Sequence, residues 1–268
     1  MKTSFLLIIA FVFFSYSLSA KNYLRLPDTR SIGMGGNGVT QSALLNPAVV
    51  ELLADKSVEL NYFNVYELEE LSSINFSFNY PNSYLSSAFN ISSFGYDEYR
   101  ESMFRLSFGK ELSDKWVLGV SAQCLLLQTL ICEEDVKRLS ADVGVLYSPV
   151  ENVLIGLLIS DIPSVRLTDE NPKVKRLEYC SAHLDIQYYV SNALLITASA
   201  RYENEESVVA AFGLEYIPYD NFSIRAGIQS MSPAFGVGYK FSAFTVNAAF
   251  VYNSIIGINS GVGIAYSF

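Results

Sequence analysis

The sequence has 268 residues, half of them hydrophobic and 14% aromatic, with only 17% charged. Its formal net charge of -9 excludes the broad basic surface that nucleic-acid binding requires, and its length suits one all-β domain. Cys124, Cys132 and Cys180 form an odd set without metal-ligand spacing and read as small hydrophobes.

Residues 1–20 have the form of a secretory signal. Lys2 supplies the basic start, Phe5 to Phe14 the apolar core, and Ser17-Leu18-Ser19-Ala20 the small-residue end. The apolar run is short for a spanning helix, and no cysteine at the junction offers a lipid anchor.

Residues 21–56 differ from all that follow. Ser31 to Val39 (SIGMGGNGV) concentrates glycine, which forbids a regular helix and invites close backbone contacts. Asn46 is placed to cap a short helix with Pro47 at its first position. A phosphate cradle is not expected, because no Lys-Ser/Thr pair follows the glycines and no βαβ strand precedes them.

From Ser57 onward, period-two alternation predicts fourteen strands. They are Val58 to Tyr66, Ser72 to Tyr80, Tyr84 to Ser92, Ser102 to Lys110, Lys115 to Leu130, Val136 to Ser148, Asn152 to Ile162, Lys175 to Val190, Asn192 to Tyr202, Ser207 to Pro218, Phe222 to Ser230, Ala234 to Lys240, Ser242 to Tyr252 and Ile258 to Phe268. The stretch leaves about 15 residues per strand with its connection, against the roughly 9 to 11 that a tilted membrane strand requires. Connections alternate between tight turns, such as Pro81-Asn82 and Tyr219-Asp220-Asn221, and longer or more acidic segments, such as Phe94 to Glu101 and Ile162 to Val174. That alternation fits short periplasmic turns and longer outer loops.

One face of these strands is apolar at midstrand, as at Phe104, Leu106 and Phe108 or Phe222, Ile224, Ala226 and Ile228. Aromatic residues gather toward strand ends, among them Tyr80, Trp116, Tyr147, Tyr188, Tyr216, Tyr252 and Tyr266, as an interfacial girdle requires. The opposite face carries Glu59, Arg105, Asp142, His183, Asp185, Arg201, Glu215 and Arg225. A charge facing lipid at midplane costs about 2–4 kcal/mol, so these residues are expected in the lumen. The whole reads as an all-β transmembrane antiparallel barrel of about fourteen strands, residues 57–268, with residues 21–56 as a plug.

Leu26-Pro27, Gly33-Met34-Gly35-Gly36 and Asn46-Pro47-Ala48 resemble the opening of the PorV/PorQ group of outer-membrane proteins, related in architecture to FadL-type transporters. The resemblance covers about thirty residues by motif and the rest by pattern. It implies a luminal plug in which Gly33, Gly35, Gly36, Asn46 and Pro47 carry the motif, and an accessory role in type IX protein secretion or surface attachment. FadL-type architecture implies instead passive uptake of hydrophobic small molecules, and a purely structural barrel is a third reading. The ending, with Tyr266 and the terminal Phe268, looks like the assembly signal of bacterial outer-membrane barrels. Expected partners are outer-membrane lipid and lipopolysaccharide, with secretion-system proteins or cargo implied by the resemblance.

His183 and Asp185 share a face, but no positioned nucleophile accompanies them, so no catalytic residues and no enzyme activity are expected. Neither a metal nor a cofactor is expected: histidine occurs once, and the loop carboxylates lack a calcium-loop spacing.

Overall fold

The computed structural model describes residues 23–130, 135–168, 180–203, 208–254 and 257–268. The signal expected at 1–20, Cys132 and the acidic pair Glu133 and Glu134 lie outside the described residues. The strands are β1 (Ser57–Val65), β2 (Leu68–Tyr80), β3 (Ser86–Tyr96), β4 (Tyr99–Ser113), β5 (Trp116–Thr129), β6 (Val136–Val150), β7 (Val153–Ser160), β8 (Ser164–Arg166), β9 (Ser181–Ser191), β10 (Leu194–Glu203), β11 (Val209–Tyr219), β12 (Phe222–Gln229), β13 (Ser232–Phe241), β14 (Phe244–Asn253) and β15 (Gly257–Ser267).

All pair antiparallel with their sequence neighbours except around β8. β7 pairs with β6 and β9, while the three-residue β8 pairs with the far part of β6. β15 closes on β1 from Ser57 opposite Ser267 to Asn64 opposite Ser260. The result is a closed fourteen-stranded barrel with one extra strand, as the alternation predicts. Closure leaves every ladder partnered, which is what permits strands to stand in an apolar solvent.

Two differences from the expected strands have a common cause. The segment Phe94 to Glu101 is not a loop: Phe94 opposes Glu101 and Tyr96 opposes Tyr99, leaving only Asp97-Glu98 as the turn. Likewise β2 begins at Leu68, after a turn in which Tyr66 and Glu67 have φ of 60° and 58°, the paired positive values of a tight hairpin. In both places polar residues stand on both faces, so the apolar contrast that reveals period two is missing. β8 lies inside the expected Ile162 to Val174 connection; Asp161, at φ 64°, turns the chain out of β7 before it resumes pairing with β6.

The outward face follows the expected pattern. Phe104, Leu106, Val120, Ile196, Ile224, Val246 and Phe250 are exposed, as are the ring-bearing Trp116, Tyr188, Tyr216, Tyr252 and Tyr266. Cys124 and Cys180 are free thiols, each half-buried.

Residues 23–56 lie within the barrel. They form a 3-10 turn at Tyr23–Arg25, a short helix α1 (Thr29–Gly33) and a 3-10 helix at Pro47–Leu52. Asp28 caps α1 by accepting from the Ser31 N–H at 2.9 Å. Asn46 caps the second turn through the Ala48 N–H at 3.0 Å, with Pro47 at the first position as expected. α1 packs against β12–β15 and the Pro47–Leu52 helix against β3–β6, so the segment spans the lumen from wall to wall.

Candidate functional site

The inner wall is relieved by glycine at several of the places where the luminal segment touches it. Gly109, Gly119 and Gly144 stand side by side on β4, β5 and β6. A methyl added at these positions meets the Pro47 carbonyl oxygen at 3.0 Å, the Ala48 nitrogen at 2.1 Å and the Asn46 Oδ1 at 1.8 Å. A second glycine pair, Gly213 beside Gly227 on β11 and β12, admits the Met34-Gly35 backbone just as closely. Gly35 and Gly36 have φ of 79° and 82°, and a Cβ on Gly35 would lie 2.9 Å from the Ile228 nitrogen. At Gly35 positive φ and lack of space together require glycine, and at Gly36 positive φ alone favours it.

Charge holds the same segment. Arg30 bonds both oxygens of Glu215, at 3.1 and 2.5 Å, and Arg225 shares that carboxylate at 2.7 Å while reaching Asn247 and Ser223. Across the lumen Arg25 pairs with Asp161 at 2.8 Å, Arg105 with Asp142 at 3.0 Å, and Arg138 with Asp161 at 3.3 Å. Arg105 also donates to the carbonyls of Leu44 and Leu45. Asp185 accepts from the Val39 N–H at 2.7 Å, and Asn61 accepts from both the N–H and the hydroxyl of Thr29. Arg105, Asp142, Glu215 and Arg225 are buried, so removing one partner of either pair leaves an uncompensated charge at a cost of about 3–5 kcal/mol.

At the end of the lumen away from Lys56 and Phe268, the chemistry changes. Leu24 is buried among Met103 of β4, Leu125 and Leu127 of β5 and Val136 of β6, with Phe94 and Tyr99 packed against the group. Phe63 and Val65 add buried apolar side chains at the same end of β1. Apolar packing between segment and wall recurs deeper in the lumen than this mouth, where Ala48 and Val49 meet Val117 and Leu146, and Val39 and Leu45 meet Leu158, beside the buried polar groups. Between the segment and β10 and β12–β14, a cavity of about 30 Å³, lined in part by Arg25, Gly35, Arg201 and Gln229, holds little more than one water.

The residues expected in the lumen serve different groups. Arg105 and Asp142 pair with each other, as do Glu215 and Arg225. Glu59 accepts from Asn61 at 2.9 Å. Asp185 does not orient His183: its carboxylate is engaged by Val39, while the imidazole Nε2 lies 3.0 Å from the Ser181 hydroxyl. Arg201 stands opposite His183 in the β9–β10 ladder. Gly33, Gly35, Gly36, Asn46 and Pro47 are among the residues of the luminal segment that lie against the wall, Gly33 against Gly236. Gly263 makes room for Asn61 and Thr29, and Gly261 for the Phe63 ring.

The sequence reading missed Arg25, Arg30 and Asp161, with Arg25 and Arg30 carrying the segment's ion pairs to Asp142, Asp161 and Glu215, and it missed the apolar mouth. The run Leu125-Leu126-Leu127 is apolar on both faces, so its inward members are indistinguishable from outward ones by pattern.

No protein-family model and no curated protein matches the sequence. The fold is similar to solved outer-membrane barrels. A crystal structure of the Pseudomonas putida toluene transporter TodX aligns with a TM-score of 0.66 at 12% identity, covering 91% of this chain and 99% of that one. A Pseudomonas aeruginosa FadL homologue aligns with a TM-score of 0.63 at 11% identity, covering 90% and 98%. At such identities the likeness is one of fold, the fold of bacterial outer-membrane barrels.

Proposed function

We propose that this barrel stands in the bacterial outer membrane and takes hydrophobic small molecules in at its outer mouth for passage inward. The observation that carries the reading is the apolar mouth, where Leu24 of the luminal segment occupies a site walled by Met103, Leu125, Leu127 and Val136. A side chain of the protein's own N-terminal segment stands where an apolar guest would lie, and burial of each guest methylene is worth about 0.8 kcal/mol. The apolar belt and aromatic ends of the strands support the membrane placement, and the similar fold of the toluene transporter supports the guest class.

The secretion reading rests on the opening motif. Gly33, Asn46 and Pro47 are buried against the wall, so the motif has a structural use within the barrel and offers no surface to cargo. Passage is therefore the better-supported of the two.

The test is uptake of labelled toluene by cells whose outer membrane carries the barrel, compared with cells that lack it. Faster uptake is expected, and it should fall when Leu127→Glu places a charge in the mouth. Equal uptake with and without the barrel would sink the reading, and recovery of secretion-system proteins with the barrel from native membranes would favour the other.

A further inference from the structure

Among the described residues, an acidic group stands within the wall of the apolar mouth. Glu101 lies on the luminal face of β4, between Tyr99 and Met103, and is half-buried. Across the ladders it stands directly opposite Phe94 on β3 and Leu127 on β5, so its neighbours on both sides belong to the apolar group around Leu24. Its carboxylate accepts the hydroxyl of Tyr99. Arginines share this end of the lumen: Arg138 stands opposite Leu125 and pairs with Asp161, and Arg166 of β8 stands opposite Arg138, while Arg25 pairs with Asp161 and Arg105 with Asp142. The rim above carries further acids, Asp97 and Glu98 in the β3–β4 turn and Asp135 before β6, all exposed.

A carboxylate flanked by two aromatic rings and backed by four aliphatic side chains is complementary to a particular kind of molecule. The carboxylate and the faces of Phe94 and Tyr99 attract a cation, since aromatic rings present negative charge on their faces. The aliphatic wall of Met103, Leu125, Leu127 and Val136 takes the hydrocarbon attached to it. A carboxylate-bearing amphiphile of the same shape would have to bring a second negative charge beside Glu101.

Resting on the passage reading above, we infer that the mouth selects hydrophobic amines over hydrophobic acids, with Glu101 as the residue that sets the preference. The ammonium lies against Glu101 between the Phe94 and Tyr99 rings, and the hydrocarbon takes the place of Leu24.

The experiment uses the full chain reconstituted in zwitterionic lipid nanodiscs and three probes of one skeleton: 4-phenylbutylamine, 4-phenylbutyrate and the neutral butylbenzene. Binding is measured by titration calorimetry near neutral pH, with empty nanodiscs subtracted. The amine is expected to bind about tenfold more tightly than the acid, and Glu101→Gln should bring that ratio close to one. An amine that binds no better than the acid overturns the inference with the unaltered protein alone, whatever the variant's ability to fold. A ratio that persists in Glu101→Gln also overturns it, assigning the preference to the rim or the lipid. If butylbenzene binds while the amine has no advantage, the selectivity fails and the passage reading stands; if none of the three binds, both fail.

Discussion

Gly144 is the residue at which wall and luminal segment come closest. An added methyl would sit 1.8 Å from the Asn46 Oδ1, and that same oxygen caps the Pro47–Leu52 helix through the Ala48 N–H. Gly144→Ala must therefore displace the cap, combining overpacking of about 1–3 kcal/mol with loss of a cap worth about 1 kcal/mol. The expected outcome is a lower temperature for heat-induced mobility change on a semi-native gel, and faster proteolysis within residues 37–46. Asn46→Ala removes the obstructing oxygen, so the double variant should be less destabilised than the sum of the two single variants. Additive effects would show that the two residues do not meet.

At the scale of the element, β15 and its terminal residue are the informative case. The Phe268 N–H donates to the Lys56 carbonyl at 2.8 Å, and its ring stacks on Tyr266, which in turn packs against Phe244. These contacts are few, and Phe268 is exposed, so it contributes little to the finished wall. Deleting Phe268 is expected to block membrane insertion of most of the chain while leaving the inserted fraction as heat-stable as the parent; normal insertion would contradict an assembly role. β15 was fully legible in the sequence because Gly261, Gly263 and Ala265 alternate with Val262, Ile264 and Tyr266. β3 and β4 were legible only at midstrand, since Ser93, Gly95 and Arg100 show no apolar face near the turn. The luminal ion pairs were out of reach for a different reason. Arg25 and Asp161 are 136 residues apart and Arg30 and Glu215 are 185 apart, so their meeting is a product of barrel closure and leaves no local pattern. The candidate site was legible in part: the glycine motif and the inward charges, but not the apolar mouth.

For the molecule as a whole, the luminal segment decides whether the barrel is a pore. Its removal would expose Glu215, Arg225, Arg105 and Asp142 to a water-filled lumen, where Arg225 keeps Glu215 and Arg105 keeps Asp142 as partners. A barrel lacking Ser31 to Val50 should therefore still fold, and in planar bilayers it should show a large single-channel conductance where the full chain shows little. An unchanged conductance would mean that the segment does not obstruct the lumen. The same segment also distinguishes correct from incorrect sheets. Gly109, Gly119 and Gly144 form a level row only when β4, β5 and β6 are paired in their native register. A slip of one residue in β5 would present Leu118 or Val120 to Ala48, and a slip of two would present Val117 or Ser121, each with a side chain where none fits. Seating of Asn46 to Ala48 thus depends on native pairing of β4, β5 and β6, so the fit of the segment and the register of the sheet are one property.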